Sequence, residues 1–141
     1  MPPPILILAI SGSLRAASSN TTLLRAAARL APGHVTMTLY ERLTELPHFN
    51  PDRDDVPDPA VTSLRAQLQA ADGVLLSTPE YAHGVPGSLK NLLDWVVGSG
   101  ELVDKPVALL HASRSPWALA SIRETLSVMS ARRGWASTWC R

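Results

Sequence analysis

Apolar residues fall along this chain in short unbroken runs that alternate with stretches where they recur every three or four positions. The first run, Ile5-Leu6-Ile7-Leu8-Ala9-Ile10, lies between Pro4 and Ser11-Gly12. No polar residue alternates within it, so it predicts a strand covered on both faces, as in a parallel sheet. Residues 19–30 place Leu23, Leu24, Ala27, Ala28 and Leu30 on one helical stripe, and Ala31-Pro32-Gly33 stops it. Residues 35–40 alternate again and predict a second strand. A right-handed crossover makes the two strands parallel.

The same rhythm continues. Val61, Leu64, Leu68 and Ala71 predict a helix over 60–71, and 74–78 predict a buried strand. Leu89, Leu92, Leu93 and Val96 predict a helix over 88–97, and 106–112 a fourth strand. Leu119, Ile122, Leu126 and Met129 predict a helix over 117–132, and 135–139 begin a fifth strand. Four β-α repeats predict an open parallel sheet with helices on both faces, whose ligands bind beyond the carboxyl ends of the strands.

Residues 41–59 interrupt the rhythm with Pro47, Pro51, Pro57 and Pro59 and with Asp52, Asp54, Asp55 and Asp58. No glycine-centred calcium-loop spacing accompanies the acids, so a solvated, turn-rich loop is expected rather than a cation site. At 141 residues the chain predicts one domain, and 45% hydrophobic against 18% charged residues gives enough material for a core. The net charge of +1 points neither to nucleic acid nor to an acidic partner. No apolar run is long enough to cross a bilayer, and the charged start of a secretory signal is missing. The single cysteine, Cys140, rules out an internal disulfide framework and stands where a catalytic thiol is not expected. Together these predict a soluble protein of the reducing cytoplasm.

Three polar loops follow strands: 11–20, 79–87 and 113–116. The first carries serine hydroxyls, Arg15, Asn20 and Gly12 just before a helix, whose first N–H groups lack internal partners at the positive end of the dipole. That arrangement suits a phosphate. It equally suits an ordinary strand-to-helix turn capped by Ser18 or Ser19. The second loop is stiffened by two prolines and carries an aromatic ring, and the third carries hydroxyls. Meeting on one sheet edge, the three suit a phosphorylated planar ligand.

Two motifs carry a resemblance. Gly12-Ser13-Leu14-Arg15-x-x-Ser18-x-Asn20 and Pro79-Glu80-Tyr81-x-x-Gly84-x-Pro86-Gly87-x-Leu89-Lys90-Asn91-x-x-Asp94-Trp95 closely resemble the NAD(P)H-dependent FMN reductase family. That family includes quinone, chromate and azo-compound reductases of flavodoxin-like fold. The resemblance spans residues 5–133 and implies an α/β, doubly wound parallel sheet of order 2-1-3-4-5, with the fifth strand truncated, forming a single FMN-binding domain. It implies that Ser13, Arg15, Ser18 and Asn20 bind the FMN phosphate, with Ser19 adding a backbone contact. Pro79, Glu80, Tyr81, Ala82 and His83 would run along the isoalloxazine, and Ser113 would approach it from the other side. Gly84, Pro86 and Gly87 would hold the second loop in shape. Lys90, Asn91 and Trp95 would lie on a helix that packs in a dimer interface.

The implied activity is hydride transfer from NAD(P)H to the flavin, then electron transfer to a quinone-like or other oxidised small molecule, in a homodimer or homotetramer. No side chain needs to act as acid or base, so none is assigned as catalytic. Glu80 is expected to fix its loop, and His83 to contribute its backbone. His34, His48 and His111 show no metal spacing.

The chain departs from the family pattern in three places. Ala82 stands where asparagine is usual. Pro116 and Trp117 fill a loop that is usually glycine-rich, where the indole could stack near the flavin or narrow the nicotinamide pocket. The chain also ends before a last helix, which would leave one sheet face for a partner chain and Trp135 and Trp139 as apolar surface. Two other classes remain open: a flavodoxin-like electron carrier, disfavoured because such carriers are strongly acidic, and a truncated, non-catalytic interaction protein.

Overall fold

The computed structural model describes residues 1–133 and 138–139. Its elements are β1 (Ile5–Ser11), α1 (Ser19–Leu30), β2 (Val35–Leu39), α2 (Pro59–Ala70), β3 (Gly73–Ser77), α3 (Gly87–Val97), β4 (Pro106–His111) and α4 (Trp117–Val128). Four full strands, not five, form the described parallel sheet in the order β2-β1-β3-β4. The register aligns Ala9 with Leu39, Ser11 with Ser77, and Ser77 with Leu110. The carboxyl ends of β1, β3 and β4 therefore reach one edge side by side. Two short pieces, β5 (Arg132–Arg133) and β6 (Thr138–Trp139), pair parallel with the start and the end of β4. The fifth strand expected over 135–139 falls largely on residues outside those described.

Alternation along the strands sorts the sheet into two faces. Leu8 and Ile10 of β1, Val74 and Leu76 of β3, and Val107 and Leu109 of β4 share one core with Val61, Leu64 and Leu68 of α2, Leu89, Leu92 and Leu93 of α3, and Leu119, Ile122 and Leu126 of α4. Burying each such side chain is worth about 1.5–3 kcal/mol. Leu24 of α1 is buried but lies outside that core. On the second face Ile7, Leu75, Ala108 and Leu110 are only half-buried.

Two of the helix ends that differ from the periodicity have a visible cause. Asp58 caps α2, its Oδ1 accepting from Ala60 N–H at 2.9 Å and Val61 N–H at 3.1 Å, so the helix begins at Pro59. The missing proline N–H costs nothing in a first turn. Helix α4 stops at Val128, short of 132. There Ser130 turns left-handed at φ 59°, and the N–H groups of Ser130 and Ala131 donate back to the Ser127 and Leu126 carbonyls. That closing motif usually takes glycine, so sequence spacing gave no warning of it.

The 41–59 loop contains two short 3-10 turns, Leu43–Glu45 and Pro51–Arg53. Helix α3 pins it. Asn91 Oδ1 accepts from Phe49 N–H at 2.7 Å, and Asn91 Nδ2 and Trp95 Nε1 donate to the Pro47 carbonyl at 2.9 and 2.8 Å. The Phe49 ring meets the Trp95 indole edge-on at 5.1 Å. Asn91 and Trp95, implied at a dimer interface, thus have intrachain partners. Among the acids, Asp54 pairs with Arg65 at 2.7 Å and Asp58 is the cap. Among the described residues no three metal-ligating side chains cluster, and no helix is long and apolar enough to cross a membrane.

Candidate functional site

The β1–α1 loop is built by successive hydroxyl-to-backbone bonds. Ser11 Oγ accepts from Ser13 N–H at 3.2 Å and from the Thr21 hydroxyl at 2.9 Å. Ser13 Oγ accepts from Arg15 N–H at 3.3 Å. Ser18 Oγ accepts from Thr21 N–H at 3.2 Å and caps α1. Such short-range serine turns fix a loop that has no sheet ladder of its own. The cap serves the third N–H of the helix and leaves those of Ser19 and Asn20 without a helical carbonyl. The two readings of this loop are therefore compatible: Ser18 caps the turn, and the turn still presents N–H groups at the positive end of α1.

Gly12 lets the loop approach β3. Its N–H donates to the Ser77 carbonyl at 2.8 Å, and a Cβ there would lie 2.6 Å from Thr78 Oγ1. The buried Asn20 receives the Ser77 hydroxyl on Oδ1 at 2.9 Å, which joins the start of α1 to the end of β3. Arg15 and Ser19 are exposed. Among the described residues no carboxylate pairs with Arg15. A cleft of about 240 Å³ opens on the β2 side of the loop, lined by Ser13, Arg15, Thr21, Arg25 and Tyr40 among others. Burial pushes the Tyr40 phenol up to about 12, so it stays neutral there.

The β3–α3 loop is held differently. Tyr81 and Gly84 exchange two backbone hydrogen bonds of 3.0 Å around Ala82 and His83, whose φ values are 48° and 63°. Two successive left-handed residues make the kind of turn that favours Asn-Gly, and each non-glycine residue there costs about 1–2 kcal/mol. An asparagine at position 82, as the family resemblance implies, would suit this left-handed backbone better than Ala82 does. Tyr81, Ala82 and His83 are exposed at the tip, and Pro79 and Glu80 are half-buried at its base.

Glu80 crosses to the next loop. Its Oε1 accepts from the Ser115 hydroxyl at 2.6 Å and its Oε2 from Ala118 N–H at 2.9 Å. Helix α4 begins after Pro116, which offers no side-chain cap, so Glu80 supplies the acceptor from another loop. The Ser115 hydrogen bond, seconded by Ala118 N–H, holds the Glu80 carboxyl below its ordinary range. Ser113 stays within its own loop, its Oγ accepting from Ser115 N–H at 3.1 Å, while His111 Nε2 meets the Ser115 carbonyl at 2.7 Å. Beyond them the His83 imidazole stacks on the Trp117 indole, with ring centroids 4.9 Å apart and planes 22° from parallel.

The structure thus gathers all the predicted residues at the carboxyl ends of β1, β3 and β4. Sequence reasoning singled out Ser113 and missed Ser115 as the hydroxyl that crosses between loops. It also missed Thr78 and Thr21. An uncapped helix start at Pro116 was the available signal that an outside acceptor was needed. One end of the site offers N–H groups, hydroxyls and the Arg15 guanidinium, which has no carboxylate partner among the described residues. The other offers ring faces and an exposed backbone turn. These donors fit a phosphorylated, planar mononucleotide such as FMN.

A family model described as NADPH-dependent FMN reductase matches residues 5–135. The NADH:(hydroxy)cinnamate reductase subunit CrdA of Vibrio ruber is 39% identical over 117 residues, which are 82% of this chain and 56% of that protein. An NAD(P)H-dependent FMN reductase of Pseudomonas aeruginosa is 37% identical over 129 residues, 86% of this chain and 69% of that protein. Other relatives are named quinone reductase and NADPH azoreductase. Among solved structures, the flavoenzyme NAD(P)H:(acceptor) oxidoreductase FerB of Paracoccus denitrificans superposes with a TM-score of 0.83 at 28% identity. It covers 95% of this chain and 76% of that one. The chain spans little more than half the length of several of the curated relatives it matches.

Proposed function

This chain belongs to the NADPH-dependent FMN reductase family, and on that premise we propose that it is an FMN-dependent NAD(P)H oxidoreductase delivering electrons to quinone-like acceptors. The observation that carries the reading is the joining of two distant loops. Gly12 N–H on the Ser77 carbonyl and the Ser77 hydroxyl on Asn20 hold the anion-binding loop against the end of β3, from which the Pro79–Glu80–Tyr81 segment departs.

In this reading the N–H groups of Ser19 and Asn20, the hydroxyls of Ser13 and Ser18, and the Arg15 guanidinium hold the phosphate. Charge-assisted bonds of that kind are worth about 1.5–3 kcal/mol each. Pro79, Glu80, Tyr81, Ala82 and His83 line the ring end through their backbone and the apolar edge of Tyr81, with Ser113 on the far side. Bound FMN would supply the hydride and electron chemistry. The residues of this chain orient the ring and shield one side of it from water, and none is assigned as an acid or base. The proposal extends to one FMN-binding domain over 1–141, a truncated fifth strand beside β4, a homodimer or homotetramer, and a cytoplasmic setting.

The test is direct. The purified chain is titrated with FMN, then supplied with NADH or NADPH, with and without a quinone. A yellow protein that oxidises the nicotinamide and reduces the quinone supports the proposal. A yellow protein indifferent to NADH and NADPH is a carrier, and a folded protein that ignores FMN overturns the reading.

A further inference from the structure

Trp117 is a departure from the family pattern that the flavin reading leaves unused. Its indole sits at the first position of α4 and is 53% exposed, with His83 stacked on it. The two walls of this end of the site are joined in two unlike ways. At the base, Glu80 is hydrogen-bonded to Ser115 and to Ala118 N–H, which fixes the spacing of the loops. Farther out, the contact recorded between these two loops among the described residues is ring on ring. A stacked contact between two exposed rings is non-directional and weak, and a third flat ring can replace or extend it. The imidazole side is held on a left-handed, non-glycine backbone, a conformation kept only where surroundings enforce it and common at ligand clamps.

We infer that Trp117, with His83, selects the acceptor by stacking on its plane. This rests on the flavin reading above and sharpens its substrate class to flat, conjugated molecules of the naphthoquinone kind. A compact octahedral acceptor such as ferricyanide presents no face to the indole and gains nothing from it. The discrimination therefore lies in the ratio of kcat/KM for the two acceptors.

The experiment measures that ratio, the KM for NADPH and the affinity for FMN in the unmodified chain and in Trp117→Ala, Trp117→Phe and His83→Ala. Both side chains are exposed, so the folded state is retained. One lost stacking face corresponds to about a five- to tenfold effect. The inference expects the naphthoquinone-to-ferricyanide ratio to fall by that factor in Trp117→Ala, to fall less in His83→Ala, and to recover in Trp117→Phe. FMN affinity and the NADPH KM should stay within twofold in Trp117→Ala and Trp117→Phe. A ratio unchanged in Trp117→Ala overturns it. So does an effect confined to the NADPH KM, which would assign the indole to the nicotinamide. Failure of the flavin reading shows separately, because the unmodified chain would then not bind FMN.

Discussion

The two ends of the site are made in opposite ways. The loop over 11–20 takes its turns from bonds spanning two, three and ten residues within one strand-to-helix connection, and two longer bonds then dock it on Ser77 at the end of β3. The loop over 79–84 is held at its base by bonds spanning 35 and 38 residues, and its tip is strained. The proposed phosphate end needs only β1, α1 and the end of β3. The ring end exists only once β4 and α4 are in place. Affinity for the cofactor's phosphate should therefore reside in the first loop. The geometry presented to the ring and to the acceptor should depend on the second.

The harshest way to break this division is to separate the first loop from β3. In Gly12→Ala the new methyl lies 2.6 Å from Oγ1 and 3.1 Å from Cβ of the buried Thr78 and 3.0 Å from Leu89 Cδ2, so the packing must shift. A loss of about 2–3 kcal/mol in urea-induced unfolding is expected, with weaker binding of FMN and of riboflavin alike. Arg15→Ala probes the first loop alone. It should leave unfolding of the FMN-free chain unchanged and weaken FMN by about 2 kcal/mol, roughly thirtyfold, while riboflavin binding is unaffected.

Ala82→Gly acts on the second loop by relieving one left-handed residue. A gain of about 0.5–1 kcal/mol is expected, less than the full strain because glycine also adds freedom to the unfolded chain. The smallest effect is a pH dependence. Glu80 has its carboxyl held low in the folded chain, so its stabilising contribution is full above the ordinary value of 4.5 and is lost as pH falls through the lowered value. Melting temperatures of the unmodified chain and of Glu80→Gln should differ at pH 7 and converge below that window. A difference that persists when the carboxyl is protonated would mean that Glu80 acts through something other than its charge-assisted bonds.

The same contrast explains what could be read from the sequence. Helix α1 runs over Ser19–Leu30 as its stripe predicts, because its cap, its apolar face and its Pro-Gly stop all lie within the segment. The parallel direction of the strands follows from the β-α rhythm and the handedness of crossovers, while the order 2-1-3-4 was implied by the family resemblance. The early stop of α4 was hidden because Ser130 takes a conformation that its residue type does not advertise. The partners of Glu80, Asn91 and Trp95 were hidden because they lie across loops, where no local spacing points to them. Ser115 crosses the gap while Ser113 Oγ accepts from the N–H two residues on, a division between neighbouring hydroxyls that only folded geometry makes.

The most direct measurement is the affinity of the chain for FMN and for riboflavin, which share the ring and differ in the phosphate, in the unmodified chain and in Arg15→Ala and Glu80→Gln. FMN should bind roughly a hundredfold or more tighter than riboflavin in the unmodified chain, as expected of several charge-assisted bonds. Arg15→Ala should shrink that preference, and Glu80→Gln should keep it. Equal affinity for the two flavins, or a preference erased by Glu80→Gln and untouched by Arg15→Ala, would contradict the division of the site on which the account stands.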